Sequence, residues 1–533
     1  MLEFRKDIFA DERDDHLQEI GQPTQRQDML GHVTGTSRYY DDHRFANLLH
    51  LKVLRSPHAH ARIRSIDDSA AARAPGVKRI IRAADVPVNL NTLLSLMQFG
   101  KDDEPSLASD VVRYKGEPIL GIVATSERAA LEAMALVRIS YDPLPAVFDV
   151  EEALKPGAPS VNPAYPKNTF EYHGKYDHQK LRFGDVDAAF AQADIVLEDR
   201  YQMSPIEHAP TETNGSIAVP DTNGRIVVYT STQALFFSLD TAAKINALPS
   251  NQLHFIGGTV GGGFGGKVDT MTEPLAILAA RLTGAPVRYR LSRHEEMQFG
   301  SPRGAERIYI KDGIMRDGRI VARQVRAYFD SGAYTRLSSY AVIKCAGHIP
   351  GPYSIPNVYA DVYCVYTNRT PATAMRGFGV TAIDFAIECQ MDKDAVAIGM
   401  DPLEFRMLNA YRDGDMKAHR REAKNCALIE CAQVAAEKAQ WPLRDEFRRM
   451  SSRQGGGSAR AGVTDRSRMP TPAAPPRVPA STAQRAAYER PMPAVSPAVT
   501  PPPAPPIPPQ PSAPAGSSHG ARRFSSVFGT RRR

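Results

Sequence analysis

Seven glycines crowd into Gly257–Gly266, GGTVGGGFGG, and Lys267 follows them. Without Cβ atoms, backbone N–H groups can approach a flat or anionic ligand closely, and positive φ comes at little steric cost. The run lies between an apolar strand-like segment, QLHFIGGTV (252–260), and a helix-like one, KVDTMTEPLAILAARLTG (267–284). It therefore reads as a ligand loop entering a helix N-terminus. Gly261-x4-Gly266-Lys267 fits half of a phosphate loop, but Val268 stands where a magnesium-binding hydroxyl is required. Gly261-x-Gly263-x-x-Gly266 fits a dinucleotide fingerprint, but no acidic residue follows between Gly284 and Ser292. A third reading is a turn that holds no ligand. Glu207–His208, in SPIEHAPTET, forms an acid/base couple by residue type, with a structural role as the favoured reading.

Metal chemistry carried by side chains is not expected. The five cysteines, Cys345, Cys364, Cys389, Cys426 and Cys431, include no C-x-x-C pair, so neither a thiolate cluster nor a zinc site is formed. They are also too few and scattered for a disulfide framework. The net charge of +7 is unevenly spread: from Pro442 onward fifteen Arg, no Lys and four acidic residues make +11, leaving −4 on the rest. The basic balance thus belongs to the tail, and no nucleic-acid partner is expected for the body. The charged N-terminus and the absence of long apolar runs point to a soluble cytoplasmic protein with no membrane contact.

These residues need a scaffold, and the pattern reads as α+β. Residues 22–150 hold strands LLHLKVLRS (48–56), GEPILGIVAT (116–125) and RISYDPLPAV (138–147). Ser126 caps a helix through ERAALEAMALV with Leu131, Met134 and Ala135 on one side. This module could fold alone. Residues 151–175 read as a connector. A larger α+β region, 176–442, holds strands RIVVYTSTQ (225–233), QLHFIGGTV and PVRYRLS (286–292). Its glycine-loop helix carries Leu275, Leu278 and Leu282 at i, i+3, i+7 and ends at Gly284. Residues 443–533 are expected to be disordered, since 17 prolines in 470–514 forbid regular structure.

TSTQ (230–233), GGGFGGK (261–267) and AMRGFG (374–379), in that order, resemble the molybdenum-cofactor subunits of the xanthine dehydrogenase/aldehyde oxidase family. Upstream, Gly35-x3-Tyr39-x-Asp41-Asp42, RSPHAHARI (55–63) and RYKGEPILGIVA (113–124) are similar to the family's hammerhead domain. PGPYSIPNV (350–358) and GMDPLEFRMLN (399–409) continue the likeness, which covers 22–442. It implies a hammerhead domain, then the first of two molybdopterin-binding domains.

The resemblance also implies chemistry: oxygen from water is inserted at an aldehyde or N-heterocycle C–H, and the cofactor does the redox work. It implies a molybdenum-pterin cofactor held by its dithiolene, with FAD and 2Fe–2S clusters on partner chains, an iron–sulfur subunit and a flavin subunit. Gln233 and Arg376 take the catalytic positions, the glutamine amide facing the metal centre and the guanidinium stabilising negative charge on the substrate. Gly262, Gly263, Phe264, Gly265, Gly266, Gly377 and Phe378 take the cofactor-binding positions. Purine-oxidising members carry Glu where Val268 stands, which directs the expectation toward aldehydes and other heteroaromatics.

No counterpart of the family's second molybdopterin-binding domain, with its Gly-Gln-Gly loop and glutamate general base, follows Trp441. The Arg-, Pro- and Ala-rich tail is expected to be out-of-frame translation, and the chain is expected to be inactive alone. The alternative is a non-catalytic binding or assembly protein that recruits a partner through the basic tail.

Overall fold

The computed structural model describes residues 25–453. Their architecture is α+β, built on two large sheets. The first has seven strands, and its order shows how the molecule is joined. Leu253–Gly257, Ile226–Thr230, Gly215–Pro220 and Val287–Arg290 continue directly into Leu49–Arg55, Pro118–Ala124 and Val77–Ile81. The junction is parallel, with Leu49 opposite Val287 and Leu51 opposite Tyr289. The N-terminal module thus shares its main sheet with the larger region, while keeping a hydrophobic cluster of its own around Ala61, Ile122 and Ala130. Its central strand, Pro118–Ala124, is buried throughout because both faces are covered.

The second sheet, in the order Ile195–Met203, Glu306–Ile314, Ile320–Gly332, Val358–Tyr366, Gln179–Phe183, lies wholly within the larger region. Between the modules, the stretch read as a connector is a buried seam. Tyr165, Phe170 and Tyr172 are each at most 1% exposed. Phe170 lies 5.2 Å from the Tyr165 ring and 4.9 Å from Tyr172, and Tyr165 stacks on Tyr366 at 5.0 Å. Each such pair adds to the area it buries.

Local signals are legible where backbone chemistry sets them and less so where packing does. Ser126 caps Glu127–Met134 by accepting from the Ala129 N–H. That helix buries Ala130 and Ala133, however, while Leu131 is 47% exposed, because only small side chains fit against the sheet. The helix after the glycine loop runs Glu273–Thr283 and ends at Gly284 in the left-handed region. Leu275 and Leu278 are buried and Leu282 is exposed. Its start, six residues beyond Lys267, means that the glycine loop does not enter a helix N-terminus.

The Gly35–Asp42 motif is a clamp. Asp41 pairs with Arg288 at 3.1 Å and Arg290 at 3.0 Å, and Tyr40 is buried against Gly215, where a Cβ would collide with its hydroxyl. At the far end, residues 443–453 are ordered rather than part of a tail. Leu443 and Phe447 are buried beside Ile429 and Met407, and Arg444 pairs with Glu404 at 2.6 Å. The rest of the expected tail, 454–533, lies outside the described residues. Among the described residues no helix is long and apolar enough to cross a membrane.

Two buried carboxyls sit at the seam. Glu117 accepts from the Tyr334 hydroxyl at 2.5 Å, and Asp103 accepts from Asn162 at 3.1 Å and the Thr335 N–H at 3.0 Å. Burial pushes each up to about 7. The folded state therefore binds more protons than the unfolded chain between about pH 4 and 7, so this contribution falls as pH rises through 7. The stability advantage of the wild type over Glu117→Gln should narrow between pH 5 and pH 8 in thermal melts. A gap that is constant with pH would show that Glu117 is not raised.

Candidate active site

Strands Ile226–Thr230 and Leu253–Gly257 run parallel with Thr230 opposite Gly257, so both chains leave the sheet at the same end. That register brings Gln233 against the glycine loop. Its amide oxygen accepts from the N–H groups of Gly265 at 3.0 Å and Lys267 at 3.3 Å, and its own N–H donates to the Lys267 carbonyl at 2.8 Å. With the oxygen engaged, the amide NH2 is the end of this exposed side chain left for a ligand.

The loop is pinned from below. Lys267, 0% exposed, donates to Glu212 at 2.7 Å, and the same carboxylate oxygen accepts from the Gly261 N–H at 2.8 Å. Burial lowers the Lys267 pKa, and Glu212 opposes that shift. A lysine held this way cannot reach a phosphate, which removes the phosphate-loop reading along with the helix N-terminus it required. Glu212 was not found from sequence, since 55 residues separate it from Lys267.

Phe264 stands at the crest with φ +53° and 49% of its surface exposed. A bulky residue in the left-handed region is strained by roughly 1–3 kcal/mol and persists where surrounding contacts impose it. Here the imposing contact is the second loop: the Arg376 N–H donates to the Phe264 carbonyl at 2.8 Å. A Cβ on Gly265 would strike the Ala374 carbonyl, and one on Gly263 would strike the Gln233 amide. Among the described residues, none accepts a hydrogen bond from the N–H of Gly262, Gly263, Phe264, Gly377 or Phe378. The exposed Arg376 guanidinium has no partner there either. Free donors beside a free cation suit an anionic or oxygen-rich group. Gly266 lies against His208, where a Cβ would collide with the ring.

His208 is buried, and its Nε2 donates to the Ala374 carbonyl at 2.8 Å, tying the two loops together. Glu207 is 3.8 Å from its Nδ1, and both side chains are buried beneath the loop. The pair is a strut, in line with the favoured reading. Phe378 and Val268 both pack against the cluster of Leu93, Leu94, Leu337 and Ala374, and the Phe378 ring lies 5.9 Å from that of Tyr340. One flank of the site is therefore apolar, and Val268 is part of it.

These placements separate backbone from side chain. Gly265→Ala should destabilise the protein by about 1–3 kcal/mol in denaturant melts, through strain at φ +105° and the Ala374 collision. Phe264→Gly removes a strained side chain, so its melting temperature should equal or exceed that of the wild type. A marked loss of stability would show that the ring is a core element.

Residues 34–145 match the family described as aldehyde oxidase and xanthine dehydrogenase, a/b hammerhead domain. Residues 162–410 match the molybdopterin cofactor-binding domain. The chain is 35% identical to the nicotinate dehydrogenase large molybdopterin subunit of Eubacterium barkeri over 79% of its length and 96% of that protein. It is 31% identical to the xanthine dehydrogenase molybdenum-binding subunit of Escherichia coli O157:H7, over 82% of its length and 58% of that protein. Aldehyde oxidoreductase from Desulfovibrio gigas superposes with a TM-score of 0.73 at 30% identity, covering 79% of this chain and 47% of that one. Quinoline 2-oxidoreductase from Pseudomonas putida 86 superposes at 0.71 with 28% identity, covering 78% and 54%. The chain thus spans nearly all of the first relative and about half of the other three.

Proposed function

The chain belongs to the xanthine dehydrogenase/aldehyde oxidase family of molybdenum-cofactor subunits, and on that premise we propose that it forms one wall of a hydroxylase active site. The observation that carries this reading is Phe264, strained and exposed, with unspent N–H donors around it and the Gln233 amide and Arg376 guanidinium close by. The molybdenum-pterin cofactor, when bound, supplies the two-electron oxidation of a substrate C–H with water as the oxygen source. The Phe264 loop and Gly377–Phe378 would hold it from one side. The Gln233 NH2 would donate to it, and Arg376 would stabilise negative charge that develops on the substrate heteroatom. Gln233 and Arg376 are thus proposed as the catalytic pair, and Gly262 to Gly266 with Gly377 and Phe378 as the cofactor cradle.

The substrate proposed is an aldehyde or N-heterocycle, because Val268 packs against the apolar cluster of Leu93, Leu94, Leu337 and Ala374. Electrons would leave to an iron–sulfur subunit and a flavin subunit. Glu212, the carboxylate at the glycine loop, is held by Lys267 and the Gly261 N–H, so the general base is proposed to come from a second cofactor-binding half. The chain alone should show no turnover even when the cofactor is supplied. Adding the second half as a separate polypeptide should restore it. The near-complete match to a relative named as a large molybdopterin subunit supports that arrangement.

The test is dye-linked oxidation of aldehydes and pyridine-type heterocycles by the purified chain, with and without such a second half. Turnover by the single chain would overturn the one-wall reading. Absence of both molybdenum retention and turnover in the assembled pair would overturn the hydroxylase reading. In an active pair, Val268→Glu should raise purine over aldehyde turnover by about tenfold or more. The assembly-protein alternative predicts that deleting 454–533 abolishes partner binding, whereas the hydroxylase reading leaves it intact. Deletion from 444 would confuse the two, since residues 444–453 are packed into the fold.

A further inference from the structure

Beside the segment that follows the glycine loop lies a space that the hydroxylase reading does not use. It is a cavity of about 50 Å³ between the two modules. Thr92 and Glu104 line it from the N-terminal module. Thr241 lines it from the Leu235–Ile245 helix, Asp269 and Thr270 from the segment after Lys267, and Arg336 closes it.

Four of its oxygens are buried without a hydrogen-bond partner: Thr92 Oγ1, Thr241 Oγ1, Thr270 Oγ1 and Asp269 Oδ2. Thr92, Thr241 and Asp269 are 5%, 2% and 6% exposed. Polar atoms removed from water in this way are ordinarily paired, so four around one small cavity call for an occupant. A helical threonine usually returns its hydroxyl to a carbonyl one turn back, and Thr241 does not.

Charge narrows the choice. Arg336 is spent on Glu104, at 2.9 and 3.1 Å, and on the Ser301 hydroxyl at 2.7 Å. Arg336 also favours the ionised Asp269, and the three groups together leave one net negative charge at the cavity. One carboxylate with three neutral hydroxyls is a set of hard oxygen donors with a single negative charge. Calcium and magnesium sites draw on more oxygens and on additional carboxylates or waters. Among the described residues, no group of three or more His, Cys, Asp or Glu could hold a metal ion. The volume admits one ion with at most a water or two.

We propose that this cavity binds one monovalent alkali cation, Na⁺ or K⁺, through Asp269, Thr92, Thr241 and Thr270. The ion would tie the N-terminal module to the segment that follows the cofactor loop. Burial raises the Asp269 carboxyl, and a bound cation would keep it ionised. The proposal is independent of which reaction the neighbouring site performs.

The full chain, exchanged into tetramethylammonium chloride, is melted during titration with NaCl or KCl at constant ionic strength. A saturable rise in melting temperature of about 3 °C or more is expected with Na⁺ or K⁺, and none with tetramethylammonium. The better of the two identifies the ion. Asp269→Asn should abolish the response. Thr241→Val, which preserves shape and helix, should weaken it at least tenfold in half-saturating concentration and serves if the Asn variant does not fold. In crystals soaked in Rb⁺ or Tl⁺, an anomalous peak should lie within bonding distance of Asp269. Equal melting in all three salts, an unchanged response in the variants, or water without an anomalous peak would overturn it.

Discussion

A lysine with no exposed surface, Lys267, meets one carboxylate, Glu212, whose same oxygen also holds the Gly261 N–H. Removing a charge from water is costly unless it is paired, and a buried pair broken on one side loses several kcal/mol, about 3–5. The glycine loop is therefore held at both ends of its seven-residue span. Between those ends its glycines accept conformations that other residues resist, and Phe264 is lifted into the left-handed region at the crest. The strain is balanced locally by Gln233 on one side and the Arg376 N–H on the other.

The same economy of contact joins the two loops that face the ligand. His208 and Gly265 both meet residue 374, one by a hydrogen bond to its carbonyl and the other by an approach that admits no Cβ. The two loops are thus joined at one residue. An active-site wall assembled in this way is preorganised, so its donors are aimed before any ligand arrives. Behind it, the continuous seven-stranded sheet and the Tyr165–Phe170–Tyr172 seam lock the N-terminal module to the larger region.

Glycine clusters, the Ser126 cap, the Gly284 stop and the TSTQ, GGGFGGK and AMRGFG blocks were legible because each depends on local backbone chemistry or on residue identity in order. They sufficed for the family, the α+β class and the loops of the candidate site. The helix start at Glu273, the exposed Leu131 and the packing of 443–453 were not legible. Each turns on what lies across the interface: a sheet that admits alanine but not leucine, or a cluster of Met407, Ile429 and Phe447 that recruits residues from an apparently polar stretch.

By itself, the sequence determined which backbone positions could turn, cap or approach a ligand, because those properties reside in single residues and their neighbours. Only the tertiary structure decided which charges are paired and which polar atoms are left over. Lys267 looked available and is spent on Glu212; Asp269 and Thr241 looked ordinary and face a cavity. Pairing depends on distances between segments remote in the chain, and the strength of each pair depends on how much water the fold excludes.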